Sequence, residues 1–381
     1  MRILVHPADS WGCGFYRLIA PANCLRASGH DVEVDFRGVS CIWDQEWPGA
    51  PKVDPPGYVK YMGLAKVPDA DVVVIQRPSR KWFEGIVRDL QAAGIRVVVD
   101  VDDRYDAILP SNVNAFDPLV EHIGAEWIDR VCKMADLVTA TTPALAKRYG
   151  YGHGVVLPNF VPAQYLAFPT ERHRIEKTIG WPALASHHPG DLRATDGGVA
   201  AALQEDPSWV FRVPGDVQMA IDELGLTKPK ATEARLVNAD GKVQIRGFAP
   251  LPDNIHQTGG VPFWDWPKLI GELEIGIVAL ADNEFNRSKS ALKASELASL
   301  GIPVVMSPTP DNRRLHALGV GELASGRGQW YRKVRALMRS ASYREDLGNR
   351  SRDVMRTMTY EAHAEDLWLA AWEGRTKTLA A

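Results

Sequence analysis

The sequence predicts an α/β protein made of two Rossmann-like domains facing across a cleft. Three observations carry this. Short apolar runs alternate with helical stretches, the pattern of parallel strands covered on both faces. That rhythm breaks at Leu157-Pro158-Asn159-Phe160-Val161-Pro162, where two prolines favour extended backbone over helix, and it then restarts. With 381 residues, the chain has room for two ordinary domains.

Composition narrows the class. Hydrophobic residues make up 45% and charged residues 24%, the balance of a globular chain rather than a disordered one. The formal charge of −3 supplies no global field for DNA or an anionic membrane. Cys13, Cys24, Cys41 and Cys132 form no C-x-x-C pair. The expectation is reduced thiols in a cytoplasm, with no zinc site and no disulfide scaffold. The first apolar run ends at His6-Pro7, too short for a signal peptide, and no run is long enough to span a membrane.

The first domain is expected over residues 1–160. Its strands are read at 3–5, 32–34, 72–75, 97–99 and 137–140, with helices over 15–27 and about 115–134 and an irregular insertion at 41–69. The second is expected over 161–359, with strands at 177–181, 209–213, 243–246, 275–278 and 303–306, and helix and loop over 218–242. A terminal helix from about 360 is expected to pack back on the first domain.

Ligands of open α/β sheets bind beyond the carboxyl ends of strands, so the loops after strands hold the candidates. After the first strand comes Gly12-Cys13-Gly14-Phe15-Tyr16-Arg17. Its glycines allow close backbone approach to a ligand and serve equally in a tight strand-to-helix turn. It is no dinucleotide fingerprint, because Arg17 replaces the third glycine. Tyr16, Arg17 and Arg77 are candidate acceptor contacts. Asp100-Val101-Asp102-Asp103 clusters carboxylates at a strand end. Such a cluster suits a hydroxyl, a proton or a metal, and equally a helix N-cap. Asp102 and Asp103 are taken as catalytic candidates, with no metal.

In the second domain, Gly180, Ser186 and His188 lie in a loop of small residues suited to a diphosphate, and His188 could donate to a phosphate oxygen. The segment Asn286-Arg287-Ser288-Lys289-Ser290-Ala291-Leu292-Lys293-Ala294-Ser295-Glu296 is the most informative. Read as one helix, it puts Lys289, Lys293 and Glu296 on one face. Two lysines near a helix start oppose the macrodipole, which makes sense beside an anion. The alternative is a solvated stripe.

Residues 272–310 resemble the C-terminal domain of GT-B glycosyltransferases of group 1, the glycogen synthase-like and mannosyltransferase-like enzymes. The shared features are Glu296 before a small-residue helix end and the strand Gly301-Ile302-Pro303-Val304-Val305. The loop at 180–191 looks like that family's phosphate loop. The Phe15-Tyr16-Arg17 and Asp102-Asp103 segments are similar to glycosyltransferase-like proteins of phages and bacteria. The resemblance implies transfer of a sugar from a nucleoside-diphosphate sugar, without a bound cofactor and with retained configuration. Glu296 would bind the donor ribose, and Gly12, Gly14, Gly180, Ser186, His188, Lys289, Ser290 and Lys293 would surround the rest of the donor. The sequence departs from the family where Ser288 replaces a first glutamate and where His187 and His188 replace basic phosphate ligands. Arg287, Lys289 or Lys293 would then supply the positive charge. The acceptor is open: a protein, a glycan or a modified DNA base. Two other readings stand beside this one, a sugar- or nucleic-acid-binding protein without turnover and a nucleotide-sugar epimerase.

Overall fold

The computed structural model describes residues 1–44, 60–215, 217–226, 232–237, 243–248, 253–259 and 261–375. The chain divides into two compact units. The first is Met1–Ala163 with Arg287–Leu292 and Thr357–Ala381, and the second is Gln164–Asn286 with Lys293–Arg356.

Sixteen strands are present among the described residues: β1 (Ile3–His6), β2 (Val32–Val34), β3 (Cys41–Asp44), β4 (Lys60–Leu64), β5 (Val72–Gln76), β6 (Arg96–Val101), β7 (Leu137–Ala140), β8 (Gly154–Val156), β9 (Thr178–Gly180), β10 (Val210–Pro214), β11 (Thr232–Val237), β12 (Val243–Phe248), β13 (Ile255–Thr258), β14 (Ile275–Val278), β15 (Val304–Met306) and β16 (Glu322–Leu323). The first unit holds a parallel sheet in the order β2-β1-β5-β6-β7-β8. Its central strands read Val72-Val73-Val74-Ile75 and Val97-Val98-Val99 and are buried on both faces, as parallel strands require. The order reverses between β1 and β5, and the carboxyl ends of those strands border the switch point where such sheets bind ligands.

The second unit holds a parallel sheet in the order β13-β10-β9-β14-β15-β16, with its switch point between β9 and β14. Its core is built from Ile179, Trp181, Phe211, Val213, Ile275, Ile277 and Trp330, among others.

Several elements differ from the sequence reading. Residues 243–246 do not join the second sheet. They lie in β12, which pairs antiparallel with β11 as a separate ribbon, and β11 occupies part of the stretch read as helix and loop. The third strand of that half of the sheet is β13, whose run Ile255-His256-Gln257-Thr258 has only one strongly apolar residue and so gave no periodic signal. The helix read over 115–134 is interrupted at Ile123, which adopts φ +50°, and resumes at Gly124–Met134. Of the insertion at 41–69, β3 and β4 form an antiparallel hairpin, and its residues 45–59 lie outside the described residues.

The first unit is tied together by one buried ion pair. Arg17 is 1% exposed and makes a two-pronged contact with Asp100 on β6, at 3.0 Å from Nε and 2.8 Å from Nη2. It also donates to the Leu157 carbonyl and to Asn159 Oδ1, and Thr139 on β7 donates to Asp100 Oδ2 at 2.6 Å. Burial opposes the charge on Arg17, but Asp100 outweighs it and holds the guanidinium pKa up. The segment after Thr357 closes over the same spot. Tyr360 donates its hydroxyl to the Tyr16 carbonyl, and Trp368 Nε1 donates to the Arg17 carbonyl at 3.3 Å.

Removing one member of such a pair strands a buried charge. Arg17→Met is expected to destabilise the protein by about 3–5 kcal/mol, measured by urea unfolding. The double variant Arg17→Met/Asp100→Leu should lose less than Arg17→Met alone, because neither charge is then left without its partner.

Candidate functional site

In the first unit, the site is built on the carboxyl edge of the sheet. β1 ends at His6, and the loop that follows is held by Asp9. Asp9 Oδ1 accepts from the backbone N–H groups of Trp11 and Gly14, both at 3.0 Å, and Oδ2 accepts from Arg77 Nη2 at 2.9 Å. A Cβ on Gly14 would lie 1.8 Å from the Asp9 carbonyl oxygen, so close packing of the turn is reason enough for that glycine. Gly12 opens the same turn.

Arg77 follows β5 directly and sits at φ +49°, a conformation that strains any side chain other than glycine. Its N–H donates to the Asp100 carbonyl at 3.1 Å.

The carboxylates after β6 are separated by their partners. Asp100 is consumed by Arg17. Asp102 accepts a hydrogen bond from the Tyr105 hydroxyl. Burial pushes its carboxyl up, but Arg77, the Tyr105 hydroxyl and the Cys13 thiol together hold it below the usual carboxylate range. Asp102 in turn raises the Cys13 thiol well above its ordinary value, with burial adding to the effect, so that thiol is a poor nucleophile. Tyr105 is itself positioned from behind, since its N–H donates to the Tyr149 hydroxyl at 3.0 Å, which donates to Asp106 at 3.1 Å. Asp103 pairs with Lys289 at 2.9 Å.

Tyr16 and Arg17, read as acceptor contacts, are 2% and 1% exposed and present no side chain to an acceptor. Arg17 is drawn inward by Asp100, and Tyr16 is covered by the segment carrying Tyr360. Arg77 remains at the edge.

In the second unit, the loops after β9 and β14 meet at its switch point. Asp191 joins them: its Oδ1 accepts from the Ala281 N–H at 2.9 Å and from Asn286 Nδ2 at 2.6 Å. His188 Nδ1 lies 3.3 Å from the other oxygen, and the His188 ring stands edge-on to Trp181. Glu223 braces the same loop by accepting from the N–H groups of Gly190 and Leu192. Ser186 lies in the turn Ala185–His187. Gly180 is the last residue of β9 rather than part of the loop, and a Cβ there would meet the Leu273 side chain at 2.4 Å. Asp191 and Glu223 were not singled out by the sequence, because single carboxylates in polar stretches carry no spacing signal.

The single helical stripe of Lys289, Lys293 and Glu296 is not formed. The helix runs Leu292–Ser299, so Lys289 and Ser290 precede it in a loop that packs with the first unit. There Thr142 Oγ1 donates to the Ser288 carbonyl at 2.9 Å, and Asn159 Nδ2 donates to Ser290 Oγ at 3.0 Å. Lys293 and Glu296 do share the helix. Glu296 is 4% exposed, and Trp266 Nε1 donates to its Oε1 at 3.1 Å. A buried carboxylate with a fixed rotamer is not a solvated stripe.

Among the described residues, no group of three or more His, Cys, Asp or Glu side chains is placed to hold a metal ion. No helix among them is long and apolar enough to cross a membrane.

No protein-family model matches the chain, and no curated protein matches it in sequence. Solved structures do match in fold. Sucrose-phosphate synthase from Thermosynechococcus elongatus superposes with a TM-score of 0.60 at 12% identity, over 98% of this chain and 99% of that one. Anabaena HepE in complex with UDP and glucose gives 0.58 at 13% identity, over 99% and 100%. Staphylococcus aureus TarM in complex with UDP gives 0.55 at 11% identity, over 79% of this chain. The present chain spans only 55% of TarM's length. The chain therefore has the GT-B fold of nucleotide-sugar glycosyltransferases, two α/β domains each built on a six-stranded parallel sheet.

Two measurements check this geometry. Asp191→Ala should release the loop after β14, and hydrogen exchange at the Ala281 amide should then lose protection while amides of β6 keep theirs. The Asp102 carboxyl should titrate below the ordinary aspartate value of about 3.9, read by carbon-13 NMR, and Arg77→Met should raise its midpoint. Because its folded pKa is depressed, its contribution to stability is complete above that ordinary value and is lost as pH falls through the folded one.

Proposed function

We propose that the protein is a glycosyltransferase that moves a sugar from a nucleoside-diphosphate sugar to an acceptor hydroxyl. The observation that carries this reading is Glu296, a buried carboxylate held by Trp266 on the helix after β14, next to the switch point of a GT-B sheet. Such a carboxylate can accept hydrogen bonds from both hydroxyls of a ribose. UDP complexes of HepE and TarM support a nucleoside diphosphate as the ligand class.

The second unit then binds the donor. Departure of the diphosphate builds negative charge, which positive side chains and helix N–H groups stabilise. Lys293, in the first turn of the helix Leu292–Ser299, serves this role; Lys289 and Ser290, in the first-unit loop that precedes the helix, are the further phosphate contacts of this reading. His188, oriented by Asp191, donates to a phosphate oxygen. In the first unit, Asp102 is kept ionised and accepts the hydrogen bond of an incoming hydroxyl. Transfer proceeds without a divalent metal, because Asp100, Asp102 and Asp103 already face Arg17, Arg77 and Lys289. The reading includes retention of configuration, as the family resemblance implies. Four free cysteines suit a reducing cytoplasm.

Incubation with a panel of nucleoside-diphosphate sugars and candidate acceptors should release free nucleotide together with a labelled acceptor, and EDTA should leave the rate unchanged. A new nucleotide sugar without acceptor labelling would instead mean an epimerase. Calorimetric titration with UDP tests the donor residues. Lys289→Ala, Lys293→Ala and Glu296→Gln should each bind about ten- to hundredfold more weakly, the loss expected when a charged hydrogen bond worth about 1.5–3 kcal/mol is removed. Wild-type affinity in all three would overturn the donor assignment.

A further inference from the structure

We propose that Trp11 and Arg77 form a saccharide-binding subsite on the first unit, so that the acceptor presents a sugar ring. This deepens the transferase reading and rests on it for the word acceptor, but binding of the sugar itself does not depend on turnover.

Trp181, Trp330, Trp368 and Trp372 are fully buried, whereas Trp11 and Trp264 are 61% and 80% exposed. A single exposed apolar side chain is ordinary on a protein surface. Trp11 differs in its placement and in how firmly it is held. It follows β1, and Arg77 follows β5, so both stand at the point where strand order reverses and where sheets of this kind take their ligands. One carboxylate ties both segments: Asp9 accepts from the Trp11 backbone N–H on one oxygen and from the Arg77 guanidinium on the other. The Trp11 carbonyl also accepts from the Phe15 N–H at 2.8 Å, which anchors the far side of the turn. Arg77 keeps its strained backbone to reach this position, and strain of this kind is retained where the surroundings impose it, often at binding sites.

The chemistry around the indole selects the ligand class. The groups that hold this turn are charged and polar: Asp9, Arg77, and Cys13 beside Asp102. A lipid or an apolar peptide offers no hydrogen bonds to the Asp9 and Arg77 charges it would cover. A pyranose has an apolar C–H face for an indole and a rim of hydroxyls for a guanidinium and carboxylates. An indole is also a stiff side chain, so little entropy is lost on stacking.

The test is saturation-transfer-difference NMR with the methyl α- and β-glycosides of glucose, galactose, mannose and N-acetylglucosamine. Wild-type protein should saturate the ring protons of one C–H face of at least one glycoside. Trp11→Ala should abolish that transfer or weaken binding at least tenfold, and Trp11→Phe should retain most of it. Asp9→Asn, which loosens the shared clamp, should weaken binding while leaving the indole in place. UDP titration of the same variants should be unchanged, and unchanged melting temperatures would show that the fold is kept. Absence of saturation transfer from wild-type protein to every glycoside, or undiminished transfer with Trp11→Ala, overturns the subsite. If glycosides bind and UDP does not, the donor assignment fails and the subsite stands. If UDP binds and glycosides do not, the reverse holds.

Discussion

The buried contact between Arg17 and Asp100 is the constraint around which the first unit is arranged. A guanidinium and a carboxylate that have both left water are tolerable only when each finds nearly all of its hydrogen bonds inside the protein. Meeting that requirement fixes the first helical segment against β6, brings Thr139 of β7 to the same carboxylate, and pins the chain at Leu157 and Asn159. The segment after Thr357 then seals the pair, since Tyr360 and Trp368 donate to backbone carbonyls of the residues that carry it. A charged residue thus organises what apolar packing alone would leave free to slide, because hydrogen bonds have direction and hydrophobic contact has none.

The same economy shapes the carboxyl edge of the first sheet. Three aspartates lie within four residues of one another, and each is matched to a different cation: Asp100 to Arg17, Asp102 to the field of Arg77, Asp103 to Lys289. The first is structural and sealed. The second and third lie partly exposed, and Arg77 helps to hold the Asp102 carboxyl below the usual carboxylate range. Neighbouring carboxylates therefore take unequal roles because their environments differ, not because their sequence contexts do. In the second unit, Asp191 and Glu223 do related work by binding backbone N–H groups of loops at or beside the switch point. The loops that would face a diphosphate are held in place before any ligand arrives, which is what preorganised charge stabilisation requires.

Glu296 shows how a fold gives a partner to a residue whose local sequence names none. Its carboxylate sits on the helix that follows β14, nearly out of water, with the Trp266 indole N–H on one oxygen. Trp266 lies thirty residues earlier on another helix, and nothing in local spacing joins the two. Only the return of both segments to the same edge of the sheet brings them together.

The sequence by itself determined the alternation of strand and helix, because apolar runs of Val and Ile long enough to be buried on both faces are visible without partners. It also determined that a helix carries Glu296 and that a strand covers Val304 and Val305, although that helix starts later and that strand excludes Gly301-Ile302-Pro303, and it pointed to the carboxylates after β6. It could not show that β12 leaves the second sheet, since a short apolar run looks alike in a sheet and in a separate ribbon, nor that β13 belongs there, since that strand is largely polar. Only the tertiary structure decided that Arg17 and Tyr16 turn inward and that Lys289 stands before the helix and pairs with Asp103. Those outcomes depend on partners 83, 344 and 186 residues away along the chain, and spacing along a sequence carries no information about charges and carbonyls that meet only after folding.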